Sequence, residues 1–330
     1  MDISKRHNYQ SKLMTSNAKQ LIGIGKAHSK IILMGEHAVV YDYPAIALPF
    51  NSANVTVTIT PSKSNHTYIH SSYYDGIIED APESLDNLKQ AIEVTLSSFK
   101  LANTPMDITI DSSIPSGRGM GSSAAVSVAL VRALCDFYKQ EISDYQLNFI
   151  VNQAEVIAHE STSGLDTLLA STNSSVIYRK SQTAKTIKIN LDAYLVVADS
   201  DMPGQTKTAV SKVRQLKESK PDFIRTVMRA IGGFVQQSVE AIQAKDINEL
   251  GRLMTYNHYY LNQLEISNAH IDRIVNAAWI AGALGAKLTG GGLGGCVIAL
   301  AQTKVEADLI QQAMMDAGAT KTWSLDLKTI

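Results

Sequence analysis

The stretch PSGRGMGSSAA, Pro115 to Ala125, follows the alternating segment DITID (107–111) and runs into the apolar stretch AAVSVAL that begins at Ala124. Gly117, Gly119 and Gly121 stand at alternate positions, so the backbone there can take conformations closed to other residues and approach a ligand closely. Ser122 and Ser123 then open a helix. Free N–H groups and the positive end of a helix dipole make such a junction an anion site, most often for phosphate. A Gly-rich turn with Ser122 or Ser123 as N-cap gives the same pattern, so both readings stand on these residues alone. Other phosphate motifs fail: no GxxxxGK[ST] occurs, and the GxGxxG at Gly290, Gly292 and Gly295 runs into CVIAL, a strand pattern where a dinucleotide fold needs a helix. GSSAA also has the outline of a nucleophile elbow around Ser123, with Asp199 and His258 or His270 as partners, which keeps a serine hydrolase open.

Outward from this loop, strand and helix patterns interleave. Val55, Val57 and Ile59 alternate with polar residues, as do Met106, Ile108 and Ile110, which is the period of half-buried strands. Leu85, Leu88, Ile92 and Leu96 set a helix within 82–101. Two more helices are expected over 122–139 and 144–159, the second opened by the Ser143/Gln146 capping box. Ile187, Ile189 and Leu191 read as a strand, and YLVVADS after it as a strand covered on both faces. Helices over 206–213, 222–244, 247–261, 268–283 and 304–317, strands at 286–289 and 296–300, and an alternating end at Trp323, Leu325 and Leu327 follow. The pattern is α+β in two halves, divided between 188 and 189.

Composition agrees: of 330 residues, 45% are hydrophobic and 18% charged, which is globular rather than disordered. Thirty basic against thirty-one acidic side chains, a net charge of −1, predict no nucleic-acid partner and no membrane surface as partner. Cys135 and Cys296 lie in apolar patterns without metal-ligand spacing, so neither a disulfide framework nor a cysteine zinc site is expected. Apolar runs such as AAWIAGALGA fall short of the ~18 residues of a membrane span. Residues 1–20 are polar and read as a flexible leader, and the chain is expected to be cytoplasmic.

Three further segments carry polar residues in positions suited to chemistry. In KAHSKIILMGEHAVV, from Lys26, a strand ends in Gly35 and places Glu36 and His37 at the reversal, where a solvated surface hairpin is the alternative. In NQAEVIAHESTSGLD, Glu155 lies on a helix and Asp166 at the start of the next, one suited to a metal and the other to proton transfer; Asp166 as a plain helix-start residue and Glu155 with His159 as a surface pair are the alternatives. In KLTGGGLGGCVIAL, Lys287 to Leu300, five glycines fall in six positions, which suggests close backbone approach to a ligand.

Together and in this order, these segments resemble the GHMP small-molecule kinases over nearly the whole chain from Gly23. The stretch Lys30 to Val40, SGLD at Ser163 to Asp166, ADSDMPGQTK from Ala198 and KLTGGGLGGC are most similar to the branch that phosphorylates mevalonate. The resemblance implies a two-domain fold, an N-terminal α/β nucleotide-binding domain over 21–188 and a C-terminal ferredoxin-like α/β sandwich over 189–330. It implies ATP and mevalonate as substrates, Mg²⁺ as cofactor, and a monomer or homodimer. By the same resemblance, Asp166 is the catalytic base and Lys30 stabilises charge beside it. Ser112, Gly117, Arg118, Gly119, Met120, Gly121, Ser122 and Ser123 bind ATP, and Ser123 and Glu155 hold the metal. Glu36, His37, Gly290 and Gly291 border the acceptor. His28-Ser29 and Met120 depart from the family's Pro-Gly and Leu. Phosphomevalonate kinase and a catalytically silent nucleotide- or metabolite-sensing homologue remain the alternatives.

Overall fold

The computed structural model describes residues 21–159 and 164–330, with the side chains of 157–159 excepted. The expected leader, Ser163 and the His159 side chain lie outside the described residues.

Two sheets carry the molecule. The first contains β1 (Gly23–Met34), β2 (Ala45–Pro61), β3 (Tyr68–His70), β4 (Asp75–Ile77), β5 (Met106–Ser112), β6 (Val176–Tyr178) and β7 (Lys185–Thr186). Its spine is β2: β1 pairs antiparallel along one edge, from Gly23 opposite Ile59 to Met34 opposite Ile46, while β5 and β6 share the other edge. Val55, Val57 and Ile59 alternate inward and are fully buried, each contributing about 1.5–3 kcal/mol of transfer free energy. Among the described residues, four α-helices belong to this half: α1 (Asp86–Ser98), α2 (Ser122–Phe137), α3 (Asp144–His159) and α4 (Leu165–Ser171). The apolar α2, with Ala125, Val128, Ala129 and Ala133 buried, packs on β1 and β2 and touches the other three helices. Its small residues permit the close approach: a Cβ at Gly25 would fall 1.9 Å from the Ala129 carbonyl oxygen. The Ser143/Gln146 capping box opens α3 as expected.

The second sheet is antiparallel in the order β11-β8-β10-β9, built from β8 (Tyr194–Asp199), β9 (Gly285–Thr289), β10 (Cys296–Ala301) and β11 (Lys321–Asp326). With α5 (Thr206–Ser219), α6 (Pro221–Ala244), α7 (Ile247–Gln263) and α8 (Ala269–Ile280) between β8 and β9, and α9 (Lys304–Asp316) before β11, the chain runs β-α-β-β-α-β. That is the ferredoxin-like arrangement. All residues of β9 and β10 are buried, including Lys287 and Thr289 in the otherwise apolar β9.

The strand expected through Ile187, Ile189 and Leu191 is not in either sheet; only Lys185 and Thr186 pair. Its alternation is met differently: the Ile189 and Asn190 N–H groups donate to the Ile330 carbonyl and that of Leu191 to Leu327, which buries Ile189 and Leu191 against the chain's last residues. One apolar core holds these together with residues of β2, β8 and β10. The sheets also meet at Phe50 and Trp323, whose rings stand edge to face at 5.9 Å, and at Thr289, whose hydroxyl bridges the N–H and C=O of Ile32. Cys135 and Cys296 are free and buried. Among the described residues, no helix is long and apolar enough to cross a membrane.

Candidate active site

The glycine loop 117–121 leads from β5 to α2 with positive φ at Gly117, Gly119 and Gly121. Gly121, φ +72°, occupies the N-cap position of α2, and no side chain caps the helix, so neither Ser122 nor Ser123 plays the expected capping role. A Cβ on Gly121 would sit 3.2 Å from Lys30 Cγ, which shows how closely the loop crosses β1. The Lys30 N–H donates to the Met120 carbonyl at 3.0 Å, fixing that crossing. Met120 is buried in the core, and the Ser29 hydroxyl donates to the Phe50 carbonyl, so both departures from the family pattern are absorbed by packing. Ser112 ends β5 opposite Val55, and its hydroxyl accepts the Ile114 N–H.

Lys30 is almost fully buried, yet its Nζ reaches Asp166 Oδ1 at 3.0 Å, and the Asp166 side chain remains 47% exposed. Asp166 stands in the first turn of α4, behind Gly164 at φ +77°. Beside it, the Ser123 hydroxyl donates to Glu155 Oε1 at 2.7 Å, and Asn87 of α1 donates to the hydroxyls of Ser123 and Ser127. Burial pushes the Glu155 carboxyl up to about 7, against the Ser123 hydrogen bond, and the negative charge of Asp166 raises it further. The serine hydrolase arrangement is not formed: Ser123 meets Glu155 and Asn87, while His258 lies against Asp272 and His270 against the Ser200 carbonyl.

The reversal after β1 is not a solvated hairpin. Glu36 is fully buried and forms an ion pair with Lys287 of β9, itself fully buried. Burial drives the Glu36 carboxyl up and the Lys287 ammonium down, each opposed by the charge of the other. The His37 Nε2–H donates to the Gly291 carbonyl at 2.9 Å; burial lowers the histidine's pKa, against that hydrogen bond. The glycine hairpin between β9 and β10 lies over the glycine loop 117–121: a Cβ on Gly290, φ +84°, would come within 2.9 Å of the Gly119 carbonyl oxygen. Lys30, Asp166, the loop 117–123, Glu155, Glu36, His37, Gly290 and Gly291 therefore converge where the two sheets meet.

Sequence reading missed Lys287, Thr289 and Asn87. A lone lysine inside an otherwise apolar buried strand signals a matched buried charge, whereas Asn87 is invisible in a helical pattern. Among the described residues, no group of three or more His, Cys, Asp or Glu is placed to cage a metal ion. One carboxylate and one hydroxyl beside an anion loop fit a magnesium-like ion, which takes few protein ligands and completes its shell with substrate phosphates and water.

Comparison with known proteins gives the family. Residues 86–174 match the GHMP kinases N terminal domain and residues 238–320 the GHMP kinases C terminal domain. The chain belongs to the GHMP kinase family. The mevalonate kinase of Pyrococcus abyssi is 32% identical over 317 residues, spanning 90% of this chain and 93% of that protein. The crystal structure of a Staphylococcus aureus mevalonate kinase is 34% identical with a TM-score of 0.70, covering 93% of this chain and 99% of that one. A Leishmania major mevalonate kinase structure, in complex with R-mevalonate, superposes with a TM-score of 0.77 at 26% identity over 94% and 99% of the two chains. Within its family, this GHMP kinase thus groups with mevalonate kinases.

Proposed function

We propose that the protein transfers the γ-phosphoryl group of ATP to the terminal hydroxyl of mevalonate, giving 5-phosphomevalonate and ADP. The observation that carries this is the Lys30–Asp166 pair, directly under a helix-initiating glycine loop whose N–H groups no side chain caps. Phosphoryl transfer asks mainly for positioning and for stabilisation of negative charge spread over the transferred group. The half-exposed Asp166 carboxylate orients the acceptor hydroxyl and takes its proton, and the Lys30 ammonium pairs with that carboxylate and faces the developing charge. Loop residues Gly117 to Ser123, with α2 behind them, receive the triphosphate, and Ser112 closes the base of that loop. Ser123 and Glu155 would hold Mg²⁺, which neutralises the β- and γ-phosphates when bound. The turn at Glu36 and His37 and the hairpin at Gly290 and Gly291 wall the acceptor side.

In this reading the nucleotide domain is 21–188 and the second domain 189–330, divided in the extended segment between β7 and β8. Three cations built into the site, Lys30, Arg118 and Lys287, each face a carboxylate, which leaves little positive charge for an acceptor that already bears a phosphate. This favours mevalonate over phosphomevalonate. Phosphorus NMR of the product from Mg·ATP and R-mevalonate tests the proposal. One new phosphomonoester on the terminal carbon is expected, and phosphorylation at the tertiary hydroxyl, or none, refutes it.

A further inference from the structure

An arginine inside a phosphate loop invites assignment to the phosphates, because its planar fork matches them. Arg118 is occupied otherwise. Its Nε donates to Asp199 Oδ1 at 2.7 Å and its Nη2 to Asp201 Oδ1 at 3.1 Å. The guanidinium is mostly buried, and so is Asp199, at the end of β8, whose Oδ1 also accepts the Asp201 N–H. The segment that follows, 200–205, is bonded on both sides. The Gly204 N–H donates to the Gly117 carbonyl at 2.7 Å on the phosphate-loop side. Toward the hairpin, the Ser200 hydroxyl and N–H both donate to the Gly295 carbonyl, the Gly295 N–H donates to Met202, and the Gln205 N–H donates to Gly292. The hairpin in turn abuts Arg118, since a Cβ on Gly295 would lie 2.8 Å from the Arg118 carbonyl oxygen.

We propose that Arg118 is a positioning residue and not a phosphate ligand: clasped by Asp199 and Asp201, it bolts the phosphate loop to the 200–205 segment and, through it, to the glycine hairpin. Three consecutive odd-numbered glycines give the loop many alternative conformations, and the clasp selects the one that presents its N–H groups at the start of α2. Removing the guanidinium also leaves two carboxylates beside the nucleotide's phosphates. The clasp therefore acts on ATP affinity, while Asp166 and Lys30 remain in place for the chemistry. This rests on the phosphate loop's binding ATP, as proposed above.

The test is a double-mutant cycle, read by calorimetric binding of a non-hydrolysable ATP analogue and by KM for ATP against kcat, with thermal melting to verify folding. Arg118→Ala is expected to weaken analogue binding about tenfold, with Asp199→Asn producing most of the same loss and the double variant no further loss. Asp201→Asn, at an exposed carboxylate, is expected to produce a smaller loss of the same kind, and in each variant the loss is expected in KM for ATP more than in kcat. Additive losses, or a loss for Arg118→Ala with Asp199→Asn and Asp201→Asn both binding as wild type, would make Arg118 a direct phosphate ligand and overturn the proposal. Unchanged affinity in all variants would also overturn it, whereas a wild-type protein that binds no analogue would refute the proposed function itself.

Discussion

Asp166 and Glu155 are both carboxylates near the phosphate loop, and their surroundings separate their roles. Asp166 is half exposed and ion-paired to Lys30, so it is reachable by an acceptor. Glu155 is buried against the Ser123 hydroxyl and has its pKa pushed up to about 7. Asp166→Ala is expected to abolish turnover while nucleotide binding, followed by calorimetry, survives; a variant of near-normal rate would remove Asp166 as the base. Glu155→Ala is expected to raise the magnesium concentration for half-maximal rate by roughly 10- to 100-fold, as loss of a metal-site group does. Both carboxylates were visible in the sequence, weakly as single residues and firmly only as members of a family pattern. Taken singly, a helix-start aspartate is a common dipole partner, and it is the 3.0 Å contact with Lys30, 136 positions earlier in the chain, that distinguishes this one.

At the level of elements, the glycine loop and β9 are the pieces on which the site depends. Gly121 holds φ +72° with Lys30 against it, so Gly121→Ala combines left-handed backbone strain, about 1–2 kcal/mol, with displacement of the Lys30 stem. A fall in thermal midpoint of a few degrees together with a loss of turnover is expected. Lys287→Met would strand the Glu36 carboxylate in a fully buried place, which costs about 3–5 kcal/mol, and adding Glu36→Gln should recover much of that in urea denaturation. Alternation and periodicity made most strands and helices legible, including β2, β5, α3 and the buried β8. They misled at Ile187 to Leu191, because extended backbone docked on the chain's end shows the same alternation as a sheet strand. The Glu36–Lys287 and Arg118–Asp199 pairs were not legible, since each joins segments far apart in sequence and depends on how two sheets are set against each other.

For the whole molecule, the same contacts that build the site also join its halves, so folding and catalysis share residues. Within the first half, Glu155 links folding to the site through a pH effect. Its folded pKa, about 7, is raised above the usual 4.5 of a free glutamate, so its contribution is fully present below about pH 4.5 and is lost as pH rises toward 7. At about 1.4 kcal/mol per unit, the change is on the order of 3 kcal/mol, and Glu155→Gln should flatten that part of the stability profile in denaturant melts of the magnesium-free protein. The two-sheet architecture follows the family's arrangement, so the fold alone does not choose the acceptor. The most direct measurement is ADP release from Mg·ATP by the purified protein, run in parallel with mevalonate, phosphomevalonate, galactose and homoserine. Release that depends on mevalonate and is weak or absent with the other three is predicted. Release driven by one of those three in place of mevalonate, or no acceptor-dependent release at all, would contradict the assignment.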